Sequence, residues 1–490
     1  MSVIQTPVGN FISKFTVLNG AARELWIAFI LKFLNIAAYS VTTSTIVLWL
    51  SADFGYSDEK ASALFGAWAL TMTIGNVLVG SLTDALGMRR TFFLGAWICV
   101  VARAVMIFAA TPGMALALGM FPLAIGEALG GPVLVAAGRK YSNAKQRSFS
   151  FSIIYAMMNV GFLAANYIFD WVRAGLGENG HWTLPLFGQT LTTYRTLFLV
   201  SWVLTLLQLP LMWFIRPNTE VTEEGIKTVA SPAALHQNIF IAFWLTVRDS
   251  AVNTMRFFVE LLRQQSFYRL LVFLLLVALL KLIFKLMDAA FPKFCIRELG
   301  PGAPAGHLMA INNWLIIFLA PLVGVLTQRF SAYRGVIIGG CLTAASIFIM
   351  ALPVVWFQPL AGGWFGDFIG HWYLGLTGAV HPYYVMIALF VIVLSFGEAF
   401  YSPRVYEYAA AIAPKGQEAS YSALSYIPFL LAKLLVGTFS GMLLAKYCPA
   451  TGERHSATMW LYVAIAASIA PLGLFVLRRQ IRVHEAGREE

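Results

Sequence analysis

The chain has 490 residues, of which 59% are hydrophobic and only 12% charged, with a mean hydropathy of +0.74. A soluble domain carries roughly 25% charged residues, so a folded chain this apolar must set most of its surface against hydrocarbon, which excludes a soluble enzyme. The formal net charge of +11 is not the footprint of a nucleic-acid partner, because its distribution follows membrane topology.

Apolar runs near 24–50, 62–83, 91–111, 115–138, 148–172, 194–215, 268–292, 307–328, 335–356, 382–412, 421–445 and 458–477 are each about the 20 residues that cross a bilayer as a helix. They predict an all-α integral membrane protein of twelve transmembrane helices. The polar gap 216–267 separates an N-terminal six-helix half, residues 1–215, from a C-terminal six-helix half, residues 268–490. Residues 1–23 show no cleavable-signal pattern, so the first span is expected in the mature protein. With both termini cytoplasmic, 21 of the 34 Lys and Arg fall in cytoplasmic segments and 7 in outer ones. Basic residues are retained on the cytoplasmic side, and this orientation is therefore expected.

Span one places Lys32, Asn35 and Tyr39 at membrane depth. A charge at the centre of a span costs about 3 kcal/mol on insertion scales, so it needs a partner or a wet cavity. The loop after span two reads Gly80-Ser-Leu-Thr-Asp84-Ala-Leu-Gly87-Met-Arg89-Arg90, and the loop after span eight Gly324-Val-Leu-Thr-Gln328-Arg329-Phe-Ser-Ala-Tyr-Arg334. Both fit Gly-x-Leu-Thr-(Asp/Gln) with Arg ten residues after the glycine, 244 residues apart. A match at equivalent loops of two halves marks a duplicated fold. Gly80 is expected to let one helix approach its neighbour. Asp84 is expected to face a helix N-terminus or accept from an arginine.

Spans three and four carry Arg103 and Glu127, and span five reads Phe151-Ser-Ile-Ile-Tyr155-Ala-Met-Met-Asn159-Val-Gly161. In the gap, about 233–266, Phe243, Trp244, Val247, Phe257, Leu261 and Leu262 lie among Arg248, Arg256 and Arg263. This spacing predicts a helix lying on the cytoplasmic membrane face, or else an additional buried helix. In span seven Lys281, Lys285 and Asp288 stand at i, i+4 and i+7, on one face. That face must turn from lipid, as a salt-bridge network or as a charged cavity wall. Span eight holds Ile311-Asn312-Asn313-Trp314 and Pro321; span ten holds Gly397-Glu398-Ala-Phe-Tyr-Ser402-Pro403, followed by Ala413-Pro414-Lys415. Arg404 and Glu407 read as a local ion pair, and Arg103 and Lys433 as snorkelling or bracing residues. Cys295 and Cys448 share the non-cytoplasmic side, where they either pair or stay as two unpaired small residues. The histidines fall outside the spans or at their edges, and no phosphate loop or nucleophile–base pair occurs. No metal, no cofactor and no enzymatic activity are expected.

Gly80-x-Leu82-x-Asp84-x-x-Gly87-x-Arg89-Arg90 resembles the loop signature of the major facilitator superfamily, with Ala85 and Met88 where basic residues usually stand. The span-five stretch is similar to the Phe-x-x-x-(Tyr)-x-x-x-Asn-x-Gly signature of its proton-coupled oligopeptide transporters. Span eight is similar to that branch's Asn-Pro-x-x-Ile…Pro stretch, and span ten resembles its Gly-Glu…Ser-Pro…Ala-Pro-Lys pattern. The branch's span-one Glu-x-x-Glu-Arg aligns with Lys32-Phe-Leu-Asn35-Ile36, so both carboxylates and the arginine are absent, and its span-four Lys-Pro becomes Gly131-Pro132. The resemblance implies a secondary transporter that moves a small polar solute, peptide-like or carboxylate-bearing, by alternating access with protons. It would act as a monomer in the plasma or bacterial inner membrane. Substrate contacts would fall to Lys32, Asn35, Tyr39, Tyr155, Asn159, Lys281, Lys285, Asn312 and Glu398, with Glu398 at the solute's positive end. Proton coupling or gating would fall to Glu127, Asp288 and Glu398. Away from the span ends, six bases stand against four acids, which favours an anionic or carboxylate-bearing solute. The alternative is an uncoupled facilitator, or an exchanger of organic anions, with Lys32 in place of a proton site; a polytopic enzyme or sensor ranks below both.

Overall fold

The computed structural model describes residues 18–185, 188–216, 219–222, 225–228, 248, 262–327, 330–412, 432 and 439–482. The long helices are α1 (Arg23–Phe54), α2 (Asp58–Leu86), α3 (Met88–Phe108), α4 (Phe121–Lys140), α5 (Ala144–Leu176) and α6 (Thr193–Leu206). They continue with α7 (Gln265–Ala289), α8 (Ala305–Leu326), α9 (Ala332–Ile349), α10 (Pro382–Ile412) and α11 (Ser456–Val476). Among the described residues, nine helices are long and apolar enough to cross a membrane. In hydrocarbon each backbone N–H and C=O must be bonded within its own segment, which turns an uninterrupted apolar run into a helix. The predicted span 421–445 and the helix expected over 233–266 lie almost wholly outside the described residues, as does Lys433.

Two antiparallel strand pairs were not foreseen. β1 (His181–Thr183) pairs with β2 (Thr190–Thr192) between α5 and α6, and β3 (Thr219–Thr222) pairs with β4 (Gly225–Thr228) in the polar gap. Strands of three or four residues with several threonines leave almost no period-2 apolar signal to read.

Packing divides the chain into two compact units. The first gathers Met1–Ser40, Thr71–Ala164 and Phe198–Met255. Its core joins Leu25, Phe29, Val79, Phe92, Leu129, Val133 and Met212. Two side chains fasten its connections: Arg216 pairs with the fully buried Glu24, and Arg89 donates to the Trp213 carbonyl at 3.2 Å while lying over that ring. Gly87 joins α2 to α3 at φ 82°, in the left-handed region, where a Cβ would be strained.

The second unit gathers Val41–Leu70, Ala165–Leu197 and Arg256–Glu490. Its core is built on Phe273, Leu274, Val277, Tyr333, Val336, Tyr401, Tyr408 and Leu474. Cys295 and Cys448, whose pairing the sequence leaves open, are both free thiols buried in this unit.

Each unit contains a helix crossing in which two glycines face each other, and the two are built alike. In α3–α4, a Cβ at Gly95 would fall against the Gly126 carbonyl and one at Gly126 against Cys99 Sγ. In α9–α10, a Cβ at Gly339 would fall against the Gly397 carbonyl and one at Gly397 against Thr343 Oγ1. Gly95 and Cys99 stand 244 positions before Gly339 and Thr343, the separation of the two repeated loops. Small residues allow such backbones to close on each other.

Candidate functional site

The glycine at each crossing is followed by a glutamate, and the two glutamates have different partners. Glu127, on α4, ion-pairs with Arg103 Nη2 from α3, both side chains almost fully buried, and Arg103 Nη1 donates to Thr205 Oγ1 at 2.9 Å. This pair satisfies a charge that would otherwise be unpaired in hydrocarbon. Glu398, on α10, has no such partner among the described residues. The position that corresponds to Arg103 by the 244-residue repeat is Ile347, fully buried on α9. Glu398 Oε2 instead accepts from the neutral amide of Asn312 at 3.1 Å, and that amide also donates to Ser395 at 3.0 Å. Among the described residues, no lysine or arginine forms an ion pair with Glu398.

Lys281 supplies the positive field at Glu398. It is buried on α7, donates to Ser402 Oγ at 2.8 Å, and lies 4.6 Å over the Tyr401 ring. Tyr401 and Ser402 follow Glu398 on α10, so its neighbouring turn positions the lysine. Lys281, Asn312 and Glu398 are thus gathered in one unit. The side chains of Lys285 and Asp288 lie outside the described residues, as does that of Glu407. Arg404, expected to pair with Glu407, donates to the Thr327 carbonyl at 2.8 Å and to its hydroxyl at 2.7 Å.

In the other unit Lys32 and Asn35 lie on α1. Lys32 is only 5% exposed, and none of the described residues hydrogen-bonds or ion-pairs with its ammonium. Asn35 abuts Gly130 of α4, where a Cβ would come within 3.0 Å of its amide. Gly161 of α5 packs against the Phe33 carbonyl and Ile36. At about 100° per residue, Lys32 falls between these two directions, in the wedge between α4 and α5. Gly131, one position along, meets nothing within 4 Å. Asn159 turns back to the Tyr155 carbonyl at 2.9 Å, and Tyr155 is largely exposed. Tyr39 is half-buried. Gly80 and Asp84 fall on α2 with the Asp84 side chain outside the described residues, and Arg90 is exposed.

A further polar cluster, in the second unit, escapes a reading of the sequence. Asp58 at the start of α2 accepts from Lys293 Nζ at 2.7 Å and pairs with Arg297 at 2.7 Å, both on the short helix Phe291–Leu299. Lys293 also donates to Ser51 at 2.5 Å, and Arg297 to the Cys448 carbonyl at 2.6 Å. Burial pushes the Asp58 carboxyl up, but the two cations outweigh it and hold the group below its usual range. Burial also lowers Lys293, against the pull of Asp58. In the same unit, Asp170 of α5 caps α8: it accepts from the Gly306 and His307 amides at 2.9 and 2.6 Å, and from His307 Nδ1 at 2.6 Å. Those amides are the unfilled donors of a helix N-terminus, where a carboxylate is favoured. Arg173 joins Asp170 to Glu178 and donates to the Ala303 carbonyl at 3.1 Å. The available signal was Asp170 three residues before Arg173 at a span end.

No metal-type cluster of His, Cys, Asp or Glu occurs among the described residues. No curated protein matches the sequence. Among solved structures, a POT family transporter in complex with 5-aminolevulinic acid shares 15% identity at a TM-score of 0.65, covering 94% of this chain and 97% of that one. A structure described as giving insights into substrate recognition in proton dependent oligopeptide transporters shares 18% identity at a TM-score of 0.64, covering 94% and 98%. Another, of a POT family transporter with a thioalcohol conjugated peptide, shares 15% at a TM-score of 0.66, covering 94% and 97%. At these identities the likeness shows the fold. The model of the Major Facilitator Superfamily matches residues 28–369, well over half the chain, and so the chain belongs to the major facilitator superfamily, as a transporter and not an enzyme.

Proposed function

We propose that the chain is a secondary active transporter that moves a small polar solute, peptide-like or carboxylate-bearing, and couples the movement to protons. It works as a monomer in the plasma or bacterial inner membrane, with both termini cytoplasmic. The half 1–215 rocks against the half 268–490, joined by the linker 216–267, to give alternating access. The observation that carries this reading is Glu398. A carboxylate buried in a span with only a neutral amide on it is favoured when it takes a proton or a substrate cation. Lys281, held one turn away by Ser402, would stabilise the ionised state once either has left. Support also comes from the structural neighbours, whose named ligands include 5-aminolevulinic acid and a conjugated peptide; the first carries both an amine and a carboxylate.

The test is uptake of labelled dipeptides and small carboxylates into proteoliposomes, with and without an inward proton gradient. Gradient-stimulated uptake that disappears in Glu398→Gln is the expected result. Uptake indifferent to the gradient would overturn proton coupling. A second reading, an uncoupled facilitator or exchanger of organic anions, is favoured by Lys32, whose buried ammonium has no described partner and can serve an anionic solute. It predicts that Lys32→Met, rather than Glu398→Gln, abolishes uptake.

A further inference from the structure

We propose that the segment between α9 and α10 is a membrane-interface anchor, seated at the headgroup–acyl boundary of the outer leaflet and tied through Tyr373 to the helix cap held by Asp170. The word "outer" rests on the topology proposed above; the seat and the tie do not.

The repeat shows that this segment is an addition. Residues 109–120 separate α3 from α4, whereas 350–381 separates α9 from α10. Accordingly Gly126 and Gly397 are 271 positions apart, 27 more than Gly95 and Gly339. The added chain folds as a turn of 3-10 helix (Val354–Phe357), two short helical turns (Gln358–Ala361 and Trp364–Gly366) and a π turn (Asp367–Tyr373).

Its side chains sort by face. Trp364, Phe368 and Trp372 stand at i, i+4 and i+8 and are 79%, 46% and 75% exposed, with the last two stacked at 5.0 Å. Val355 and Trp356 extend this ridge at 75% and 66%. On the opposite side Ile369 and Gly370 are buried, Gly370 directly against Val380. Asp367 and His371 pair at 3.2 Å beside the ridge. An apolar ridge of this kind is costly in water. Indole, with a large apolar ring and one N–H donor, suits the interface of a bilayer better than either water or hydrocarbon. Continuity identifies what covers it. The segment begins and ends on two long apolar helices, and exposed Phe348 in the last turn of α9 runs on into Val355 and Trp356.

The tie is direct. Tyr373 donates to the His307 carbonyl at 2.8 Å and its ring packs against the imidazole, whose Nδ1 is bound to Asp170. Lipid that holds the ridge therefore holds the N-terminus of α8.

Two measurements test this on the full chain in phosphatidylcholine–phosphatidylglycerol vesicles. In a Cys341→Ser background, Trp364→Cys would carry a fluorescent thiol label, quenched by lipids doxyl-labelled near the headgroup, by lipids labelled near the chain end, or by aqueous iodide. Strongest quenching by the shallow lipid label is expected. Dominant quenching by iodide, or protection from all three by a protein partner or second copy, would overturn the seat. For the tie, native Cys295 and Cys448 report, since both are buried thiols of the same unit and Cys295 lies within the electrostatic field of Asp170 and Arg173. Their modification by an impermeant maleimide should quicken several-fold in Tyr373→Phe and in Trp364→Ser/Trp372→Ser. An unchanged rate in both would overturn the tie. Neither readout depends on the solute or on proton coupling.

Discussion

At Gly126-Glu127 the carboxylate is clasped by Arg103, one turn beyond Cys99; at Gly397-Glu398 the residue one turn beyond Thr343 is Ile347, and the carboxylate is left to the amide of Asn312. The facing glycines correspond, and so do the Cys99 and Thr343 side chains beneath them, while Leu129 packs on Gly95 where Tyr401 packs on Gly339. The same backbone crossing thus presents its glutamate to an arginine in one unit and to a neutral amide in the other.

The sharpest way to break this comparison is to make the two sites alike. Ile347→Arg should clasp Glu398 and reduce gradient-driven uptake at least about ten-fold, equivalent to ~1.4 kcal/mol. Uptake at the original rate in a variant that still melts cooperatively would remove Glu398 from the transport cycle. The converse change acts on stability. Arg103→Leu leaves Glu127 buried and unpaired, a loss of about 3–5 kcal/mol that a thermal melt in detergent should register. Arg103→Leu/Glu127→Leu should recover most of it, and equal melting of the single and double variants would contradict the brace. A smaller effect probes the shared scaffold: Gly126→Val and Gly397→Val should each cost about 1–3 kcal/mol by overpacking, read by the same melts. If only one of them destabilises, the crossings are not equivalent.

Asp58 gives the smallest effect. Its folded pKa is depressed below the ordinary aspartate value, so its contribution is fully present above that ordinary value and is lost only as pH falls through the lower, folded one. Between pH 5 and 8 the Asp58–Lys293–Arg297 cluster should not titrate. Maleimide accessibility of Cys448 should then be constant over that range, after correction for thiol ionisation; a step near neutrality would show that another group controls the cluster.

Much of the architecture was legible because membrane helices announce themselves by length and hydropathy: the described helices fall where apolar runs of about 20 residues do. The repeat was legible at the loops, where Gly80 and Gly324 keep their spacing. It was hidden at the glutamates, because the added residues between α9 and α10 shift the register and make Glu127 and Glu398 look like unrelated in-span acids. Which of them is paired depends on a contact between helices, Arg103 to Glu127, that no local pattern encodes. Lys281, Asn312 and Glu398 were each visible as polar residues at depth, but not the Ser402 bond that orients the lysine. Asp170 was passed over because its partners, the amides of Gly306 and His307, are backbone groups. The strand pairs at 181–192 and 219–228 were invisible for want of apolar alternation.

Lys32 has an electrical consequence. A charge lodged inside a span sits within the membrane field, and carrying one elementary charge through the whole of it at 100 mV is worth about 2.3 kcal/mol. Any rearrangement that displaces the Lys32 ammonium along the bilayer normal drags part of that charge with it. A voltage step applied to the protein with no solute present should then evoke a brief, saturating current, and Lys32→Met should diminish it.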